Sequence, residues 1–281
     1  MEIFEASAEH FNIRDTLDCG QIFRYVPENA GYRIFSGEHV CEAHECDGKV
    51  FVRCDSAEYF KAFFDLGRDY REIYSSAIGY GNEFLCKAAE CGKGIRILRQ
   101  DTEEMFFSFI VSQNNNIPRI KGIIERLCSA LGKRREFCGK SYFTFPKAAQ
   151  IAQKSEDFYK RIGLGYRAAY LPSVANALLD GFDINFAKSL STPELKRELV
   201  KLKGVGPKVA DCVALFGFGR ADSFPVDTWI EKIYREDFNG KLSDRRAITE
   251  FFTDAFGENS GYFQQYMFHY KRNVLSSDSE Q

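Results

Sequence analysis

A mostly helical α+β fold with a small antiparallel sheet at its N-terminal end follows from three features of this 281-residue chain. Up to about residue 54, short runs rich in β-branched and aromatic residues are cut by turn residues. From Ala57 onward apolar residues recur at three- and four-residue intervals, and no repeat, low-complexity tract or long linker separates the two parts. The runs Gln21 to Tyr25, Tyr32 to Ser36, His39 to Ala43 and Lys49 to Cys54 read as strands. Asn29-Ala30-Gly31, Ser36-Gly37 and Asp47-Gly48 separate them, as in an antiparallel meander. Thr102-Glu103-Glu104-Met105, then Phe106, Phe109 and Ile110, has helical spacing, and so have Ile117, Ile120, Ile123, Ile124 and Leu127. The polar run Gln113-Asn114-Asn115-Asn116 and Pro118 place a loop between those two helices, stiffened before Arg119. Further helices are expected at Phe145 to Gln153, Glu156 to Ile162, Tyr166 to Leu179, Thr192 to Leu202, Pro207 to Phe216, Asp227 to Arg235, Ser243 to Phe256 and Gly261 to Lys271. The division expected is a sheet domain with flanking helices over 1–95, a helical body over 96–275 and a frayed tail over 276–281.

Composition narrows the class. Hydrophobic residues are 44% of the chain and are interspersed with charges, and runs such as Met105 to Val111 fall far short of the roughly 18 residues a membrane span needs. The N-terminus carries acids where a secretory signal carries bases, so a cytoplasmic or nuclear protein is expected. Nine cysteines, an odd number in a chain long enough to fold without staples, are expected as reduced thiols. The cluster of Cys41, His44, Cys46 and Cys54 lacks paired C-x-x-C spacing, so no metal is expected; with no cysteine after Cys212, a C-terminal cysteine-held iron–sulfur cluster is excluded. The formal charge of −2 does not announce a nucleic-acid binder, but its distribution is uneven. Residues 1–60 hold five bases against twelve acids, 116–140 seven against two, and 191–220 six against three.

The second basic stretch contains the most informative window. In Leu202-Lys203-Gly204-Val205-Gly206-Pro207-Lys208, Gly204 and Gly206 permit the backbone angles of a tight turn, and Pro207 suits the first position of a helix, where a missing N–H costs nothing. The exposed amides of Gly204, Val205, Gly206 and the helix start make a site for a phosphate. Lys208 sits in the first turn, where the positive helix end disfavours its proton and raises its nucleophilicity. Asp227 follows in Pro225-Val226-Asp227. An ordinary helix cap is an equally good use for it, and Thr228 with Glu231 has capping-box spacing.

With that aspartate downstream, the hairpin resembles the helix-hairpin-helix DNA glycosylases, the motif spanning about 192–217. Other segments narrow the resemblance: Ser112-Gln113-Asn114-Asn115-Asn116 leading into Ile117-Pro118-Arg119, Gly163-Leu164-Gly165-Tyr166-Arg167, Cys19-Gly20-Gln21-Ile22-Phe23-Arg24, and Gly261-Tyr262-Phe263-Gln264 with Phe268. Together they are similar to the 8-oxoguanine DNA glycosylases from about Leu17 to Lys271, in that family's order.

The resemblance implies a bifunctional glycosylase and abasic-site lyase that repairs double-stranded DNA, needs no cofactor and works as a monomer. Lys208 is then the nucleophile at the sugar C1′, held afterwards as a Schiff base, and Asp227 steadies positive charge on the sugar. Strand cleavage follows by β-elimination, the expelled base shuttling the proton. The Gly20 carbonyl meets the N7 hydrogen that distinguishes the lesion from guanine, Gln264 meets the Watson–Crick edge, and Phe268 and Cys212 cover the two faces. Asn114, Arg119 and Arg167 contact the opposite cytosine, whose O2 and N3 suit arginine donors, and Tyr166 is the wedge. Trp229 stands where some relatives have a phosphate-contacting histidine. Two other readings remain open on these residues: a monofunctional glycosylase for alkylated bases, which typically lacks the hairpin lysine, and a DNA-binding module that only grips phosphates.

Overall fold

The computed structural model describes residues 1–28 and 30–275. The expected frayed tail lies outside the described residues, as does Asn29 of the first expected turn. The chain opens with strand β1 (Glu2–Ser7), which sequence reading missed because only Phe4 in it is buried, and helix α1 (Ile13–Asp18). Strands β2 (Tyr25–Glu28), β3 (Gly31–Ser36), β4 (His39–Cys46) and β5 (Lys49–Cys54) complete an antiparallel sheet in the order β1-β5-β4-β3-β2. Its register pairs Phe4 with Val52 and Ile34 with Cys41. Pro27, which has no N–H to give a ladder, lies on the edge strand β2.

The strand expected at Gln21 to Tyr25 begins only at Tyr25, because the side chains ahead of it serve as anchors. Gln21 bonds the Arg96 carbonyl (2.7 Å) and the Leu98 amide (2.8 Å). Arg24 donates to the Phe143 carbonyl (2.5 Å) and lies 3.4 Å from the Glu104 carboxylate, which also accepts from the Gly37 amide (2.6 Å). This buried pair joins sheet to helical body, and burial pushes the Glu104 carboxyl up to about 7 against the pull of Arg24.

Helices α2 (Ala57–Phe63), α3 (Tyr70–Gly79), α4 (Glu83–Cys91), α5 (Thr102–Ser112) and α6 (Ile117–Leu131) follow. Then comes a hairpin absent from the expected set, β6 (Arg134–Phe137) and β7 (Lys140–Phe143). Its turn, Cys138-Gly139, has φ +49° and +74°, the signature of a two-residue hairpin turn that a charged sequence hides. The rest is helical: α7 (Ala148–Ala152), α8 (Glu156–Arg161), a 3-10 turn over Gly165–Ala169, α9 (Tyr170–Asp180), α10 (Ile184–Ser189), α11 (Thr192–Leu199), α12 (Pro207–Gly217), α13 (Thr228–Glu236), α14 (Arg245–Phe256) and α15 (Ser260–His269). A π turn over Tyr270–Leu275 ends the described chain. The single helix expected from Tyr166 is split because Pro172, without an N–H and with a ring that blocks the carbonyl four residues back, belongs in a first turn; the regular helix starts at Tyr170.

Two cores form. One lies under the sheet, with Phe11, Phe60, Phe63 and Phe64 against Ile34, Val50 and Val52. The other surrounds α5, whose residues Met105 to Val111 are all buried, and takes in Leu85, Ala88 and Tyr70. Helices α3 and α4, which fall within 1–95, therefore pack into the helical body. No helix among the described residues is long and apolar enough to cross a membrane. All nine cysteines are unbridged, and Cys41 and Cys54 face each other across β4 and β5.

Candidate active site

The hairpin between α11 and α12 is built as its residues require. Ser191 and Glu194 cap α11 reciprocally, Gly206 is the N-cap of α12, and Pro207 stands in the first turn. Gly204 has φ +92°, and a Cβ there would lie 2.4 Å from the Tyr170 ring, so both conformation and space demand glycine. A Cβ on Gly206 would meet nothing; this side of the turn is open to a ligand. The Val205 N–H is spent on the Leu202 carbonyl (3.0 Å) and its side chain is buried, so the donors left to a phosphate are the Gly204 and Gly206 amides and the first-turn amides of α12. A 2.5 Å ion pair between Lys196 and Asp211, with Ser223 donating to Asp211 (3.0 Å), ties α11 to α12.

Lys208 is the second residue of α12 and is half-buried. Its Nζ lies 5.6 Å from the centre of the Phe109 ring, and its charge acts on the Cys212 thiol one helical turn on. Burial pushes that thiol up to about 11, which keeps it protonated at neutral pH. Asp227 caps α13: its Oδ1 accepts from the Trp229 and Ile230 amides, both at 3.0 Å, and no described residue bonds its second oxygen. The capping box expected from Thr228 and Glu231 is absent, since the helix cap is Asp227 and its carbonyl takes the Glu231 amide (2.9 Å); the Glu231 side chain instead pairs with Arg245 (2.6 Å).

Both residues line one cleft of about 1680 Å³, together with Gly20, Phe23, Phe109 and Phe268. Gly20 has φ +86°, and a Cβ there would come within 3.2 Å of the Phe268 ring. Gln264 and Cys212 are buried and do not themselves line the cleft. Gln264 is 3.4 Å from the Pro225 carbonyl, and its oxygen accepts from Gln265 (2.7 Å), a positioning contact sequence reading missed.

The polar run after α5 divides its labour. Asn116 caps α6 by accepting from the Arg119 amide (3.0 Å), and Asn115 bonds the Val111 carbonyl (3.1 Å) and the Asn116 amide (3.0 Å). Asn114, at φ +43°, is left exposed and lines the cleft, while Arg119 is exposed in the first turn of α6. Pro118 belongs to that same first turn, where it costs no hydrogen bond, and so does not stiffen a loop. Tyr166 is 55% exposed, the one large aromatic left outside on its turn, and the Arg167 guanidinium stacks 4.4 Å from its ring. Arg167 itself is buried. It donates to the carbonyls of Gln113 (2.8 Å), Asn114 (2.8 Å) and Leu164 (3.3 Å), so its donors are spent bracing the loop. Gln113 completes the brace by donating to the Gly204 carbonyl (2.9 Å), linking loop, wedge turn and hairpin. Nothing in a lone glutamine signals this. Phe23, Phe109 and Arg272 in the cleft wall were also missed, since each reads as an ordinary core or surface residue. Trp229 is half-buried and lines the cleft as well.

Comparison with known proteins gives the family. Residues 3–106 match the model of the 8-oxoguanine DNA glycosylase N-terminal domain, and residues 107–256 that of the HhH-GPD superfamily of base excision DNA repair proteins. The crystal structure of the Clostridium acetobutylicum 8-oxoguanine glycosylase/lyase, in complex with double-stranded DNA containing cytosine opposite 8-oxoguanine, superimposes with a TM-score of 0.91 at 35% identity, covering 98% of this chain and 99% of that one. A probable N-glycosylase/DNA lyase of Methanothermobacter thermautotrophicus is 29% identical over 235 residues, 76% of this chain and 74% of the relative. The N-glycosylase/DNA lyase OGG1 of Arabidopsis thaliana is 34% identical over 188 residues, 63% of this chain and about half (52%) of the plant protein. A chain matched over both of its parts, and along nearly its whole length by an enzyme-DNA complex, belongs to the 8-oxoguanine DNA glycosylase/lyase family of the HhH-GPD superfamily.

Proposed function

We propose that this protein, acting as a single copy, excises 8-oxoguanine from duplex DNA through a covalent lysine intermediate and then nicks the strand, with cytosine preferred opposite the lesion. The observation that carries this reading is the meeting of Lys208 and Asp227 in one cleft, each at the N-terminus of its own helix. The damaged nucleotide leaves the stack, Tyr166 fills the gap, and the hairpin amides hold a phosphate beside the extruded sugar. The Lys208 amine attacks C1′ as the C1′–N9 bond breaks, and the base departs with that electron pair. The sugar ring opens to a Schiff base; loss of a proton from C2′ then expels the 3′ phosphate. Asp227 stabilises the cationic sugar with the oxygen its cap leaves over, and the two amides on the other oxygen hold it still. Gly20, Phe268 and Gln264 read the base, and Asn114 and Arg119 reach the orphaned cytosine, Arg167 holding their loop from behind.

Borohydride should trap the protein covalently on an 8-oxoguanine:cytosine duplex, and Lys208→Gln should abolish the trapped species. Trapping that survives this substitution assigns the nucleophile to another residue. Equal affinity for lesion and intact duplex with no base release would make the chain a binding module. Base release across the four possible opposite bases measures the cytosine preference.

A further inference from the structure

The cleft wall contains a cation that the reaction scheme above leaves without a task. Arg272 lines the cleft, and its Nη1 is buried with no hydrogen-bond partner among the described residues. That nitrogen lies 3.1 Å from where a Cβ on Gly20 would stand, and the guanidinium sits 5.4 Å from the centre of the Phe268 ring. Burial pulls the Arg272 pKa down, so the guanidinium beside Gly20 and Phe268 is desolvated. A buried donor without a partner is uncommon in a folded protein, and in a cleft it points to a ligand acceptor.

The order of residues along the chain says which acceptor. Gln264 and Phe268 stand four residues apart on α15 and share a face, and Arg272 lies beyond Phe268 on the C-terminal side, beside its ring. The helix ends in the π turn that carries Arg272, a backbone irregularity that re-aims a side chain. If Gln264 meets the Watson–Crick edge and Phe268 the ring face, the end of the purine left for Arg272 is the one that carries C8 and N9.

We propose that Arg272 donates to the C8 oxygen of the extruded base, beside the N7 hydrogen assigned to the Gly20 carbonyl. This inference rests on the base-excision reading above. As the C1′–N9 bond breaks, its electron pair spreads over N9, C8 and the C8 oxygen, and a fixed guanidinium at that oxygen stabilises the charge where it forms. Guanine, with hydrogen at C8, would leave Nη1 unpartnered, so the same contact contributes to discrimination.

The test compares the 281-residue chain with R272M, which keeps a stem able to pack on Phe268, and R272K, which keeps the charge. Single-turnover base release from an 8-oxoguanine:cytosine duplex should fall about 100-fold in R272M, the scale on which a lost transition-state donor acts. R272K should recover part of that loss. Nicking of a preformed abasic site opposite cytosine, which offers no base for the guanidinium to meet, should fall no more than about threefold. Base release by R272M at the wild-type rate or faster would overturn the proposal, leaving the guanidinium as a placeholder in the empty slot. An equal fall of base release and abasic nicking in both variants would also overturn it, as a structural role. Wild-type protein that releases no 8-oxoguanine refutes the base-excision reading itself, and that result needs no variant.

Discussion

Asp227 carries two duties on two oxygens, and substitution can separate them. Its Oδ1 accepts from the Trp229 and Ile230 amides at 3.0 Å. Loss of such a cap costs about 1 kcal/mol (range about 0.5–2), while asparagine, an equally good cap, should cost little. Asp227→Ala should therefore lower the melting temperature by about 2–4 °C, on the scale for larger domains, and Asp227→Asn should leave it nearly unchanged. Catalysis should respond to both. A neutral amide cannot balance a cationic sugar, and loss of one fixed electrostatic partner costs about 10²–10³ in rate, or roughly 3–4 kcal/mol. Calorimetric melting and single-turnover base release from an 8-oxoguanine:cytosine duplex give the two readouts on the same samples. Base release by Asp227→Asn within threefold of wild type would refute the catalytic duty. A melting point for Asp227→Asn as low as that of Asp227→Ala would refute the capping argument.

Two further outcomes follow from the hairpin and from the junction between sheet and body. Gly204→Ala places a methyl group 2.4 Å from the Tyr170 ring at φ +92°, so it should destabilise by about 3 kcal/mol in urea unfolding and weaken abasic-site nicking as the turn shifts. The buried Glu104 carboxyl is raised from the ordinary glutamate value of 4.5 to about 7 in the folded protein. The folded state then holds the proton more tightly than the unfolded chain, so this contribution is complete below about pH 4.5 and lost as pH rises through about 7, a fall of roughly 3 kcal/mol. Denaturation midpoints measured across that window should lose this slope in Glu104→Gln, whose side-chain oxygen still accepts from Gly37.

Chemistry that depends on residue type and local spacing is written in the sequence. Gly204, Gly206 and Pro207 make the turn and helix start that present Lys208, Asp227 reads as a cap and is one, and the three- and four-residue periodicity locates most of the helices, because each of these is settled within a few residues of chain. The tertiary structure alone assigned the rest, because those duties belong to side chains that meet across long separations. Only packing made Arg167 a brace and left the Asn114 side chain unbonded beside two identical neighbours that are hydrogen-bonded, set Gln113 against the Gly204 carbonyl ninety-one residues away, and brought Arg272 beside Gly20. A charge or amide reads alike at any sequence position, and the partners that consume or spare its hydrogen bonds come into range only when the helices close around α5.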